Sequence, residues 1–242
     1  MKGMGAMGST VVTVIWRFGI VLVVYGWLGC VPGWAGTFHQ AAFQGRLETV
    51  KRLIAEKKND VNEADGFGST PLHHAAMGGN TEMVNWLLNN GAAIEARDAG
   101  GYSPLVLALR NGKTEVAKLL VKAGADIGVL DNLGGSVLAS AAYLGDSDLV
   151  EMILNRGAEV NHANELGLAP LHLATLANSK KIMKLLLGHG ANANAKDKSG
   201  ETPLNKVKDD EARQLLWQHG ARLVKNRDDA LVEQPAPKGT EE

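Results

Sequence analysis

The sequence predicts an all-α repeat solenoid, and three observations predict it. Gly-Ala closes an apolar segment at Gly91-Ala92, Gly124-Ala125, Gly157-Ala158 and Gly190-Ala191, each step being 33 residues. A second ladder keeps the same register: Thr70-Pro71-Leu72-His73, Ser103-Pro104-Leu105, Ser136-Val137-Leu138, Ala169-Pro170-Leu171-His172 and Thr202-Pro203-Leu204, again 33 residues apart. Self-similarity at such a period marks units that stack on one another rather than one globular core. Third, hydrophobic residues make up 45% of the chain but aromatic residues only 5%, so the interior is expected to be Ala, Val and Leu, which suits close helix packing.

Taken in chain order, the first 35 residues stand apart: they contain no Asp or Glu, and Lys2 and Arg17 are their only charges. Phe18 to Val31 is an apolar run of 14 residues, short for a membrane span of roughly 20 residues and suited to the core of a secretory signal. Gly33 and Ala35 are the small residues such a signal needs before its cleavage site, so residues 1–35 are expected to be removed after Ala35 and the chain exported to the periplasm or secreted. Two alternatives stay open. Val11 to Val31 is a second-ranked candidate for an uncleaved inner-membrane anchor. Arg17 would cost it roughly 2.5–3.5 kcal/mol on insertion. Leu28-Gly29-Cys30 is similar to the end of a bacterial lipoprotein signal, with Cys30 as the lipidated residue.

Each later unit has the same physical logic, seen in the stretch from Asp65. Asp65 to Gly68 carries turn chemistry, with glycine available for positive φ. Thr70 can cap the helix that follows, and Pro71 fits its first turn. Leu72, Ala75 and Ala76 share one helix face, which Gly79 or a neighbour ends. Met83, Val84, Leu87 and Leu88 give the next helix its apolar face, until Gly91 stops it. Neither helix is long enough to be stable alone, so burial against neighbouring units must supply the stability.

Thr70-Pro71-Leu72-His73-His74-Ala75-Ala76 and the period resemble the ankyrin repeat, a β-hairpin followed by two antiparallel helices. The resemblance covers 37 to about 224 and implies six units, at about 37–64, 65–97, 98–130, 131–163, 164–196 and 197–224. The first begins at Thr37-Phe38-His39-Gln40-Ala41-Ala42 without a preceding hairpin and carries an extra residue near Lys57–Asn59. The sixth is shortened and charged, with Lys208-Asp209-Asp210-Glu211, as a capping unit requires. Val137 in place of Pro and Ala169 in place of Thr are expected to soften the fourth and fifth units. Asn178 stands where Gly112 and Gly145 stand, at a left-handed helix end. Residues 225–242, polar and containing Pro235 and Pro237, read as a disordered tail.

The composition excludes several functions. Asp plus Glu number 26 against 25 Lys plus Arg, so the basic face that nucleic-acid binding needs is missing. A single cysteine, Cys30, precludes an intrachain disulfide or thiolate metal cluster. Gly3-Met4-Gly5-Ala6-Met7-Gly8 matches a dinucleotide-binding string but lacks the strand and helix around it. Gly112-Lys113-Thr114 is similar to the end of a phosphate-binding loop, but Leu107 replaces its required first glycine. Adjacent His73 and His74 point about 100° apart on a helix and make a poor chelate; the resemblance gives His73 and His172 a structural role, bonding to the helix start and neighbouring backbone. His189 and His219 precede helix-ending glycines, where an imidazole can meet free carbonyls. No catalytic residue, cofactor or metal is expected, and the chain reads as a monomeric, non-enzymatic protein-binding module.

Ankyrin arrays resemble a cupped hand whose hairpin tips and inner helices face the partner. In this register those positions hold Phe67, Met77, Tyr102, Arg110, Leu133, Tyr143, Leu144, Leu166, Leu168 and Leu176, where an idle surface would be polar. An apolar stripe rimmed by polar residues marks an interface. The competing reading packs some of these leucines between neighbouring hairpins. Trp86, on an outer helix, is expected to serve the core, and Trp217, in a similar place near the end of the array, to cover its exposed edge. The expected role is an exported adaptor for a protein partner. The alternatives are a membrane-tethered scaffold and a regulatory or protective subunit of an envelope enzyme.

Overall fold

The computed structural model describes residues 37–223. The expected leader, with Cys30, and the expected tail lie outside the described residues. Twelve helices and no β-strand form among the described residues. They come in pairs joined by tight turns: α1 (Thr37–Phe43) with α2 (Leu47–Ala55), α3 (Pro71–Gly78) with α4 (Thr81–Asn89), α5 (Pro104–Arg110) with α6 (Thr114–Lys122), and α7 (Val137–Leu144) with α8 (Ser147–Asn155). The series ends with α9 (Pro170–Leu176) and α10 (Lys180–Gly188), then α11 (Pro203–Lys206) and α12 (Asp210–Gln218). Odd-numbered helices pack on one another along an inner row, and α4, α6, α8, α10 and α12 along an outer row.

The helix starts follow from the second ladder. Ser103 Oγ accepts from Val106 N–H at 3.4 Å, and Ser136 Oγ from Ala139 N–H at 3.2 Å. The Ser136 cap explains why α7 starts on schedule although Val137 replaces proline. The turn after each inner helix from α1 to α9 uses a left-handed residue, whereas α11 ends at an extended Val207. Asn178 supplies one at φ 52°, where Gly112 and Gly145 have 66° and 80°, as expected of the residue type that best tolerates this region after glycine.

Burial explains why the pairs stack. On α4, Met83, Val84 and Leu87 are buried, while Leu88 and Trp86 are half-buried against the same core. The spacing recurs in Leu149, Val150, Ile153 and Leu154 of α8 and in Ile182, Met183, Leu186 and Leu187 of α10. The inner helices bury Leu72, Ala75 and Ala76 on α3 and their counterparts Leu138, Ala141 and Ala142 on α7. Trp217 packs against the far end of this core. Polar bonds tie each unit to the next as well. Asn161 Nδ2 donates to Gly190 O (3.1 Å) and its Oδ1 accepts from Asn192 N–H (2.8 Å), and Asn194 does the same with Gly220 O and Arg222 N–H, both at 2.8 Å. Carbonyls left over at a helix end are thus satisfied by the preceding unit. His189 and His219 donate from Nδ1 to Leu185 O and Leu215 O at 2.8 and 2.9 Å, the expected use of an imidazole at a helix end.

The β-hairpin expectation is corrected. Between pairs the chain forms side-chain-closed loops, with one isolated antiparallel bridge between Leu130 and Ser136. Asp65 Oδ1 accepts from Phe67 N–H (2.8 Å) and Ser69 N–H (3.0 Å), and Asp65 N–H donates to Ser69 O (3.0 Å). The carboxylate therefore takes amides that a longer ladder would need. Asp98, Asp131, Asn164 and Asp197 repeat this arrangement. No helix of the described residues is long and apolar enough to cross a membrane.

Candidate partner-binding face

The face is assembled from these loop tips and the C-terminal ends of the inner helices. Adjacent tips are stitched together: Ala99 N–H donates to Phe67 O at 2.8 Å, Glu165 N–H to Leu133 O at 2.9 Å and Lys198 N–H to Leu166 O at 3.0 Å. Backbone anchoring of this kind leaves side chains at the tip to project. Phe67 is 54% exposed, Tyr143 43% and Leu133 36%. Arg110 is also exposed, and Met77, Tyr102 and Leu144 are half-buried.

Tyr102 is the most firmly held of these residues. Its N–H donates to Asp98 Oδ1 at 2.9 Å, and its carbonyl accepts from His73 Nε2 at 3.0 Å. Its ring lies so close over Gly100 that a Cβ there would meet ring carbons at 2.9 Å. The Arg110 guanidinium sits over the ring, 4.6 Å from its centroid, in a cation–π contact. Loop and helix thus meet in one preformed aromatic–cationic unit.

Histidines form the layer behind the tips. His73 is fully buried, and its Nδ1 accepts from Thr70 N–H at 3.1 Å, which leaves the proton on Nε2 for Tyr102 O. Burial pushes its pKa below the ordinary value, outweighing the Tyr102 carbonyl and Asp98, which act the other way. His172 repeats the arrangement with Ala169 N–H (3.2 Å) and Glu201 O (3.3 Å), and burial lowers its pKa too. His74 donates to Asp65 Oδ2 at 2.8 Å; burial lowers its pKa although the carboxylate opposes this. Burial alone would raise Asp65, but the bonds from His74, Ser69 and Phe67 prevail and hold it low. The pair is a neutral imidazole bonded to a carboxylate. Among the described residues no group of three or more His, Cys, Asp or Glu is placed to hold a metal ion.

One predicted contact residue is corrected. Leu168 is only 7% exposed. It forms a small apolar cluster with Ala139 and Leu173, against which Leu166 and Leu176 are half-buried. The cause lies at position 139. His73 and His172 bond across to the next loop, but Ala139 has no ring to do so, and Leu168 packs there instead. The stripe is therefore two things: projecting side chains around Phe67, Tyr102, Arg110, Leu133 and Tyr143, and a packed seal at Leu166, Leu168 and Leu176. Sequence reasoning missed Leu130, which is 47% exposed one residue before Asp131. A bulky apolar residue where other units have Ala64, Arg97, Ala163 and Lys196 was the available signal.

Stacked helix pairs with rigid loop tips and an outward aromatic–cationic unit define a repeat-solenoid binding module. A family profile described as ankyrin repeats (3 copies) matches residues 38–131 and 138–227, and the chain belongs to the ankyrin-repeat family. A solved complex of a predatory endopeptidase from Bdellovibrio bacteriovorus with an immunity protein includes a chain 32% identical to this one, with TM-score 0.66, covering 76% of this chain and 98% of that chain. Among curated proteins, the palmitoyltransferase akr1 of Schizosaccharomyces pombe is 44% identical over 61 residues, 25% of this chain and 10% of that protein. The human ankyrin repeat domain-containing protein 49 is 45% identical over 56 residues, 23% of each chain. The matched segments span less than a quarter of these two relatives, so they carry the repeat and not the rest of either protein. Ankyrin repeats are in general protein-binding, non-enzymatic modules.

Proposed function

We propose that the chain is a monomeric, non-enzymatic adaptor of the cell envelope that holds a protein partner with its loop tips and inner-helix ends. The observation that carries this reading is the projecting set of Phe67, Leu133 and Tyr143 around the stacked Tyr102–Arg110 unit. Large apolar side chains held outward on an anchored backbone offer rigid contact area at small entropic cost. The leader supports export to the periplasm or secretion, with the exported chain beginning at Gly36.

Capture from native envelope fractions with the full chain, followed by mass spectrometry, tests the reading. A specific partner is expected, and Tyr102→Ala with Tyr143→Ala is expected to lose it while the helical content stays. Unchanged capture by the double variant would mean that another face binds. Intact-mass analysis of the chain from fractionated cells tests export: a mass retaining residues 1–35 would favour the anchor, and a mass carrying lipid on Cys30 the lipoprotein.

The likeness to a chain of the endopeptidase–immunity protein complex favours one sharper reading, in which the partner is an envelope enzyme that this chain restrains or protects. Co-purification of a peptidase whose activity rises when the complex is dissociated would support it. A partner with no hydrolase activity would remove it.

A further inference from the structure

We infer that the Tyr102–Arg110 unit is a receptor for a carboxylate, and that the partner presents an Asp or Glu side chain flanked by apolar residues to it. The inference rests on the proposed binding face and adds the chemistry of what is bound there.

Arg110 is the anomaly on the inner row. Apart from histidines, the inner helices carry only two charged side chains, Arg110 on α5 and Lys206 on α11. Lys206 is held by Asp197 at 2.7 Å and Glu201 at 2.6 Å. Arg110 forms no ion pair or hydrogen bond through its guanidinium among the described residues; its contact is the Tyr102 ring. A guanidinium has five N–H donors in a planar fork that suits a carboxylate, and stacking on a ring satisfies none of them.

The loop acids of the same units do not take this role: Asp98 and Asp131 are bonded to their own loop amides and neither pairs with Arg110. Asp98 Oδ1 accepts two backbone amides, both at 2.9 Å, and Asp131 Oδ1 accepts two at 2.8 Å. The fork is also preset. Tyr102 is fixed through Asp98 and His73, and the absence of a Cβ at Gly100 lets its ring lie where Arg110 covers it. Leu144 lies against Gly112, in the turn that follows Arg110. A cation resting on a fixed aromatic ring has part of its ordering already made while its donors stay open, conditions that favour a bidentate carboxylate bond. A bare anion would leave Phe67, Leu133 and Tyr143 unused, which points to an acidic side chain within an apolar protein segment.

The test selects from a displayed library of short random linear peptides with the full chain, in parallel with Arg110→Met, Arg110→Lys and Tyr102→Ala/Tyr143→Ala. The expected consensus has an Asp or Glu beside an aliphatic or aromatic residue. Arg110→Met is expected to lose the acid from the consensus and keep the apolar positions. For the synthetic consensus peptide, replacing its acid by the amide should weaken binding about tenfold to a hundredfold to the unaltered chain and leave binding to Arg110→Met unchanged. Arg110→Lys should keep the acid preference at reduced affinity. An apolar consensus without an acid, lost in the double tyrosine variant, would overturn the carboxylate receptor and leave the binding face standing. Equal amide penalties for the unaltered chain and Arg110→Met would also overturn it. Enrichment that the double tyrosine variant does not affect, or no enrichment, would overturn both.

Discussion

Replacing His73 by alanine should cost the stack about 3 kcal/mol, and the cost can be built up from the bonds removed. His73 is fully buried, and its two ring nitrogens join Thr70 N–H to Tyr102 O across a unit boundary. Without the ring, Thr70 N–H becomes a buried donor with no acceptor, a loss of about 1–3 kcal/mol. Tyr102 O suffers less, because it still accepts from Asp98 N–H at 3.1 Å. The void left by the ring adds about 1 kcal/mol. In a linear stack this loss falls on one junction, so the transition should broaden as well as shift.

The same bond makes stability sensitive to acid. His73 Nδ1 must be unprotonated to accept from Thr70. Burial places the folded pKa of His73, His74 and His172 below the ordinary value, which is about 6.5. Between those values the unfolded chain binds more protons than the folded one. Stability is therefore complete above about pH 6.5 and is lost as pH falls towards the folded values. Asp65, whose pKa is also held low, contributes a loss only below the ordinary carboxylate range. Urea unfolding followed by circular dichroism at about pH 8 and about pH 5.5 measures both effects. A loss for His73→Ala below about 1 kcal/mol at the higher pH would refute the bond accounting. Equal stability of the unaltered chain at the two pH values would refute the neutral-histidine assignment.

Three smaller substitutions test the local logic. Ala169→Thr should stabilise by about 1 kcal/mol, because it restores the hydroxyl that Thr70 places 2.9 Å from His73 Nδ1; no gain in the urea midpoint would mean that the fifth unit has no room for it. Asn178→Gly should stabilise by about 0.5–1 kcal/mol, since φ is 52°, and a loss would show that the Asn side chain is used. Gly167→Ala should destabilise by about 2 kcal/mol, because φ is +75° and a Cβ would sit 2.8 Å from Lys198 N; faster amide exchange at Lys198 is the local sign, and unchanged exchange would contradict it.

The helix register was legible in the sequence because each unit start is chemically marked. A Ser or Thr cap, a proline at the first helical position and a glycine after the second helix recur at fixed spacing, and the helices begin on those marks. The left-handed role of Asn178 was legible for the same reason: it rests on a local backbone preference. The loops were legible as turns but not in kind, because the Asp that marks a turn also consumes the amides of a hairpin ladder. Leu168 could not be placed from its own unit, since its burial depends on Ala139, almost a full repeat earlier. The contact between Tyr102 and Arg110 joins a loop to the far end of the following helix, and no sequence period encodes that approach. Both residues were candidates singly; their union is a product of packing.

The central claim is that the loop tips and inner-helix ends hold a protein. Hydrogen exchange of the full chain with and without its captured partner tests it most directly. Protection is predicted at residues 66–69, 99–102 and 132–135 and at the ends of α5 and α7, with α4, α6 and α8 unchanged. Protection confined to the outer helices, with the tips exchanging freely, would contradict it.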